Sequence, residues 1–191
     1  TIKGFGDPVI AVDVDPKSQR LLAATLSGHV GFHGLWNGDP LLQLAGHRGR
    51  VNVASFAADG ELVVTAGNDG RAVVWNARDA RPVAEIALGA PVISAAVAPS
   101  GQLLATVTAE DTAVRLWTVA NQQSAGTIAG HEKSVRWVAF HPDGKSILSV
   151  GDDGVARLCD LDGTVRQTYR AGERLHRGIF TRGGDVLMTC G

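Results

Sequence analysis

The chain has 191 residues, of which 45% are hydrophobic and 19% are charged, and its 18 basic and 19 acidic side chains nearly balance. The apolar content excludes an intrinsically disordered chain, and the balance of charge argues against a dedicated polyelectrolyte binder. The two cysteines, Cys159 and Cys190, are too few for a disulfide framework. No apolar run reaches the roughly 20 residues that a membrane span requires, and no secretion signal is visible. We therefore expect a cytoplasmic protein that does not associate with a membrane.

A repeat of 42 residues runs along the chain. Trp75 and Trp117 are 42 residues apart, and one further step of the same length reaches Cys159. The pair Gly46-His47 recurs as Gly130-His131 in the same phase. The repeats cover approximately residues 4–45, 46–87, 88–129 and 130–171, with a partial repeat at 172–191. We expect a single segment over 1–191 that belongs to a longer chain, because the last repeat stops in its middle.

Each repeat is predicted to contain four short strands. In the second repeat these are Val51–Phe56, Leu62–Ala66, Ala72–Trp75 and Val83–Leu88. Turn sequences such as Gly67-Asn68-Asp69-Gly70 separate them, and such turns between β-rich runs indicate hairpins. The glycines interrupt every window long enough for a helix. The sequence therefore predicts an all-β fold.

These motifs resemble the WD40 repeat family. The second repeat carries Gly46-His47, Asn68-Asp69-Gly70 and Val73-Val74-Trp75-Asn76, and the fourth carries Gly130-His131 and Asp152-Asp153-Gly154 at the same positions. The resemblance implies a β-propeller, in which each repeat forms one four-stranded antiparallel blade. It predicts about four and a half blades here, an incomplete ring, whereas family rings usually have about seven.

The resemblance also implies a hydrogen-bonded chain of four side chains inside each blade. By position, its members are His47, Thr65, Asp69 and Trp75 in the second repeat, Thr106, Asp111 and Trp117 in the third, and His131, Ser149 and Asp153 in the fourth. Cys159 replaces the tryptophan of the fourth repeat, and Ser27 and His33 make the first repeat depart further. A histidine, a hydroxyl and an aspartate could also form a hydrolase triad. Their repetition favours a structural network, since an active site needs one constellation in one cleft.

The predicted function is a non-catalytic interaction scaffold or sensor domain. A propeller holds loop and strand-end residues on a rigid frame, which suits recognition of other proteins, or of other domains of the same longer chain. In the family, contacts often come from the second residue of the inner strand and from the residue before the turn aspartate. The corresponding residues are Asn52, Asn68, Ile93, Glu110, Arg136, Asp152 and His176. Arg136 is the candidate anchor, because arginine is enriched at interface hot spots.

Two other functions are compatible with parts of the sequence. Five arginines, Arg166, Arg170, Arg174, Arg177 and Arg182, stand against one acid, Glu173, and either form a solvated surface or bind phosphate, nucleic acid or an acidic partner. A propeller enzyme would need convergent carboxylates or histidines on the inner strands, and inner strands such as Val51–Phe56 and Val92–Val97 carry none. No metal or cofactor is expected, because His29 and His33 are about 13 Å apart on one strand and no phosphate-binding loop is present.

Three remaining side chains carry expectations of their own. Cys159 should be an inert core thiol, because it replaces a buried tryptophan. Trp137 is expected to pack in the core between blades. Trp36, next to a turn sequence, is either an exposed contact or a plug between blades, and the sequence leaves both open.

Overall fold

The structure is a computed structural model that describes residues 6–17, 19–181 and 185–190. The chain divides into two compact units, Thr1–Val92 and Ile93–Gly191, which we call the amino-terminal and carboxy-terminal units. The described residues contain strands and turns but no helix. In particular, none of them belongs to a helix long and apolar enough to cross a membrane.

The described residues form eighteen strands. The first eight are β1 (Val9–Val14), β2 (Arg20–Thr25), β3 (Val30–Gly34), β4 (Pro40–Leu44), β5 (Val51–Phe56), β6 (Leu62–Gly67), β7 (Arg71–Asn76) and β8 (Pro82–Ala87). The next eight are β9 (Val92–Val97), β10 (Leu103–Thr108), β11 (Val114–Thr118), β12 (Ser124–Ile128), β13 (Val135–Phe140), β14 (Ser146–Gly151), β15 (Val155–Asp160) and β16 (Val165–Arg170). The last two are β17 (Leu175–Phe180) and β18 (Val186–Cys190).

Consecutive strands pair into sheets in chain order. Four sheets have four strands each, β1 to β4, β5 to β8, β9 to β12 and β13 to β16, and β17 pairs with β18. The pairing is antiparallel, with registers such as Val63 opposite Trp75 and Ile147 opposite Cys159. The all-β prediction is confirmed, and the four strands predicted in the second repeat occur within two residues of their expected ends. Each sheet lies within one predicted repeat, although the exact repeat limits stay a prediction.

The repetition is visible in the turns between the first two strands of a sheet. Gly60, Gly101 and Gly144 have φ angles of 71°, 71° and 70°. This left-handed conformation is open to glycine at little steric cost. Glycine at the same place in three repeats therefore produces the same hairpin three times, which fixes how the following strand pairs.

The hydrophobic core lies between neighbouring sheets inside each unit. In the amino-terminal unit, β5 packs against β1 and β2, and Leu22, Phe32, Val51 and Trp75 belong to one buried cluster. In the carboxy-terminal unit, β13 packs against β10, and β17 packs against β13 and β14. The inner strands β5, β13 and β17 are thereby each held by the sheet before them, so the residues at their starts are positioned rigidly.

Candidate interaction face

A chain of hydrogen bonds crosses the second sheet. The indole Nε1 of Trp75 donates to Thr65 Oγ1 over 2.7 Å, and Thr65 Oγ1 lies 2.7 Å from His47 Nε2. His47 Nδ1 lies 2.9 Å from Asp69 Oδ2. The Thr65 hydroxyl accepts from the indole and has its own proton available for Nε2, while Nδ1 of His47 faces the carboxylate. The Thr65 hydroxyl is buried and lies within hydrogen-bond distance of both Trp75 and His47. This environment suits a structural network better than a catalytic nucleophile.

The carboxylate at the end of this chain is held ionised. Burial raises the pKa of Asp69, but hydrogen bonds from the backbone N–H groups of Arg48 and Arg71, together with His47, outweigh burial and leave the pKa below its ordinary value. Asp153 in the fourth sheet has the same balance: burial raises its pKa, and His131 and backbone N–H groups lower it by more. Both turns are therefore locked by a carboxylate that accepts several hydrogen bonds.

These lowered pKa values predict an acid-sensitive fold. A carboxyl whose pKa is lower in the folded state contributes stability above its unfolded pKa, about 3.9 for aspartate, and loses it as pH falls through the folded value. We expect the melting temperature to fall on acidification below about pH 4, and Asp69→Asn to lower it at neutral pH and flatten this acid dependence. Circular dichroism melts across the acidic range measure both. Asp79→Asn, in an exposed turn, is the matched control, and an equal flattening by both variants would contradict the prediction.

The fourth sheet contains a shortened version of the same chain. His131 Nδ1 lies 3.0 Å from Asp153 Oδ2, and His131 Nε2 lies 2.9 Å from Ser149 Oγ. Cys159 is fully buried at the position of the indole. Burial raises the pKa of its thiol, which agrees with an inert core residue.

The third and first sheets depart from the pattern. Trp117 Nε1 donates to Thr106 Oγ1 over 2.9 Å. Asp111 lies outside that pair, since it accepts from the backbone N–H of Thr108 and forms an ion pair with Arg115 at 2.6 Å. In the first sheet, Ser27 Oγ lies 2.9 Å from His29 Nδ1. His33 is buried, and burial lowers its pKa, so it packs as a neutral imidazole.

The predicted contact residues form pairs in two sheets. Asn52 Nδ2 donates to Asn68 Oδ1 over 2.8 Å in the second sheet, and Arg136 forms an ion pair with Asp152 in the fourth. Each pair joins the second residue of an inner strand to the residue before the turn aspartate. Two positions far apart in sequence are thus brought together at the same end of the sheet in both repeats.

The other predicted contact residues differ in their surroundings. Ile93 is half-buried and packs against the core of the carboxy-terminal unit. Glu110 and His176 are exposed. Ile93 therefore contributes to packing, whereas Glu110 and His176 are available to a partner.

The arginine-rich stretch is divided among different environments. Arg166 forms an ion pair with Asp160 at 2.6 Å, and the Arg177 guanidinium lies 4.6 Å from the ring centre of Trp137. Arg170 and Arg174 are exposed, and Arg182 lies outside the described residues. Arg174 instead affects the ion pair between Arg136 and Asp152. The hydrogen bond from Arg136 lowers the pKa of Asp152, although burial raises it, and the positive charges of Arg174 and His176 lower this pKa further. Sequence reasoning missed this link, because Arg136 lies on β13 and Arg174 lies in the loop before β17.

The tryptophans Trp137 and Trp36 differ in their burial. Trp137 is half-buried against a core cluster that includes Leu148 and Leu175, as a packing role requires. Trp36 is 81% exposed, so in the amino-terminal unit it is not a plug.

A cavity of about 490 Å³ in the first sheet is lined by residues that include both His29 and His33. Across residues 6–17, 19–181 and 185–190, no three His, Cys, Asp or Glu side chains are grouped to hold a metal ion.

Comparison with known proteins gives matches in sequence and in structure. The family model for the WD domain, G-beta repeat, matches residues 38–76 and 122–167. Eukaryotic translation initiation factor 3 subunit I from Rattus norvegicus and that from Homo sapiens are each 28% identical over 160 residues, which cover 77% of this chain and 49% of the relative. The Nematostella vectensis protein of the same description is 27% identical over 178 residues, which cover 81% of this chain and 56% of the relative. The chain thus spans about half the length of the curated relatives it matches.

A solved structure matches nearly all of the chain. The crystal structure of the β-propeller domain of Cps50 (Swd1) from Myceliophteria thermophila aligns with a TM-score of 0.88 and 16% sequence identity, covering 98% of this chain and 64% of that chain. At this level of identity the likeness shows the fold alone.

Proposed function

Because the chain belongs to the WD40 repeat family, we propose that it is a non-catalytic scaffold or sensor domain that presents a rigid propeller face to partner proteins, or to other domains of the same longer chain. The observation that carries the proposal is the pairing of Asn52 with Asn68 and of Arg136 with Asp152. Polar side chains held at equivalent strand ends of a packed frame are suited to recognition.

The polar networks support a binding role over an enzymatic one. His47, Thr65 and Asp69 satisfy one another below the surface, and His131, Ser149 and Asp153 do the same in another sheet. A catalytic nucleophile must reach its substrate, whereas the Thr65 and Ser149 side chains are buried. We place the protein in the cytoplasm, as its relatives include translation initiation factor subunits.

Affinity capture with face variants tests the proposal. The tagged chain is used to capture proteins from a cell extract, and the captured set is quantified for the wild type and for Arg136→Glu/His176→Glu. The matched control is Lys145→Glu, an exposed residue in the turn at the opposite end of β13. We expect a defined set of proteins that the face variant loses and the control keeps. Capture that is equally strong in all three proteins would refute the proposed face.

A further inference from the structure

We infer that the contact positions of the carboxy-terminal unit receive an acidic segment of a partner protein, bound by Arg136, Arg174 and His176. This inference rests on the proposed function and adds to it the chemistry of the partner. It also assigns different roles to the contact positions of the two units, which the repeat pattern treats as equivalent.

In the amino-terminal unit, Asn52 of the contact pair Asn52–Asn68 is hydrogen-bonded to neighbouring residues. Asn52 Nδ2 donates one hydrogen bond to Asn68 Oδ1 and another to the carbonyl oxygen of Val92, both over 2.8 Å. A carboxamide nitrogen carries two hydrogens. Both donors of Asn52 are therefore used inside the unit, and this side chain has none left for a partner.

In the carboxy-terminal unit the contact pair retains donors. Asp152 is the hydrogen-bond partner of Arg136 within the part of the chain that the structure describes, and the bond uses one terminal nitrogen. A guanidinium has five N–H donors, four of them on its two terminal nitrogens; because the Nε of Arg136 is buried, the donors left for a partner are on the terminal nitrogens. The Arg136 side chain is 34% exposed, whereas that of Asp152 is 12% exposed, so the cation is the more accessible member of the pair.

The neighbouring loop adds positive charge at the same place. The N–H of Ala171 donates to the carbonyl oxygen of Gly154 over 2.9 Å, and a Cβ placed on Gly154 would lie 2.9 Å from the carbonyl oxygen of Glu173. The turn that contains Asp152 therefore lies directly against the loop that leads to Arg174. Both Arg174 and His176 are exposed, and their charges help to lower the pKa of Asp152.

The corresponding loop of the amino-terminal unit has no charge. A Cβ on Gly70 would lie 3.3 Å from the backbone of Ala90, in the segment Leu88-Gly89-Ala90-Pro91. The positive charge is thus a property of the carboxy-terminal unit and not of the repeat. Cations at the rim of an interface select a partner of opposite charge and speed its association.

The charge pattern favours a protein segment over nucleic acid. Asp152 and Glu173 lie among the cations, and each would repel a continuous phosphate backbone. Nucleic-acid binding relies on several basic contacts to successive phosphates, whereas this chain has a net charge of −1. A short segment with a few carboxylates can meet the three basic side chains and avoid the two acids.

Fluorescence anisotropy with the full chain tests the inference. The probes are a labelled glutamate-rich peptide, a lysine-rich peptide of the same length and a labelled oligothymidylate. We expect the wild type to bind the glutamate-rich peptide with an affinity that falls as NaCl is raised, since exposed charges are screened. Arg174→Glu and His176→Glu change exposed residues, and each should weaken binding by about tenfold or more. Arg78→Glu, an exposed residue of the amino-terminal unit, should leave binding unchanged.

Three outcomes would overturn the inference. These are no binding of the glutamate-rich peptide by the folded wild type, equal loss of binding in Arg78→Glu and Arg174→Glu, or tighter binding of the oligothymidylate that Arg174→Glu abolishes. The last outcome would indicate a nucleic-acid site. If the capture experiment still yields proteins that depend on the face while the peptide does not bind, only the charge of the partner is wrong and the proposed function stands.

Discussion

Trp75→Ala is expected to lower the free energy of unfolding by about 3–5 kcal/mol, the usual cost of removing a buried tryptophan. The Trp75 side chain is 3% exposed in the core of the amino-terminal unit, and the variant loses both its packing and its hydrogen bond to Thr65. Urea unfolding of the full chain followed by circular dichroism measures the change. Trp36→Ala is the matched control: this residue is 81% exposed, and its removal should change stability by less than about 0.5 kcal/mol.

Thr65→Val separates hydrogen bonding from packing in the same network. The variant keeps the shape of the side chain but leaves the Trp75 indole and His47 Nε2 without a partner. Each buried polar group left unsatisfied costs about 1–3 kcal/mol. A loss of stability for Thr65→Val as small as that for Trp36→Ala would show that the network contributes nothing beyond packing.

The second large effect concerns the missing tryptophan of the fourth sheet. A Cβ on Gly46 would lie 3.4 Å from the Trp75 ring, and a Cβ on the equivalent Gly130 would lie 3.4 Å from Arg157 Nε. The Arg157 side chain therefore occupies the space beside Gly130 that an indole fills in the second sheet. Cys159→Trp alone should overpack this space and cost about 1–3 kcal/mol.

Removing the arginine should reverse that cost. Arg157 corresponds in register to Val73 of the second sheet, so Arg157→Val/Cys159→Trp restores the arrangement found there, with an indole N–H available to the Ser149 hydroxyl. We expect the double variant to lose less free energy of unfolding than the sum of the losses measured for the two single variants. Urea unfolding of the four proteins forms a double-mutant cycle, and additive changes would contradict the proposed exchange of Arg157 for the tryptophan.

The sheets, and the residues of the polar networks in the second and fourth sheets, could be predicted from the amino-acid sequence alone, whereas Asp111 of the third sheet lies outside its expected network. The order of strands follows from local chemistry: apolar runs end at glycine and aspartate turns, and each hairpin pairs neighbours in the chain. The 42-residue spacing then assigns His47, Thr65 and Trp75 to one network, because residues that recur with the repeat occupy the same place in each sheet.

What these positions can still bind depends on the folded structure. Asn52 and Arg136 occupy the same place in their repeats. Both N–H donors of Asn52 are hydrogen-bonded to Asn68 and Val92, whereas Arg136 has several N–H donors that are not hydrogen-bonded to Asp152. In the same way, the arginine-rich stretch reads as one cluster in sequence but is divided in space, with Arg174 beside the turn that holds Asp152. Hydrogen-bond saturation and electrostatic environment depend on side chains from strands and loops far apart in the chain, and a repeat pattern cannot locate these side chains.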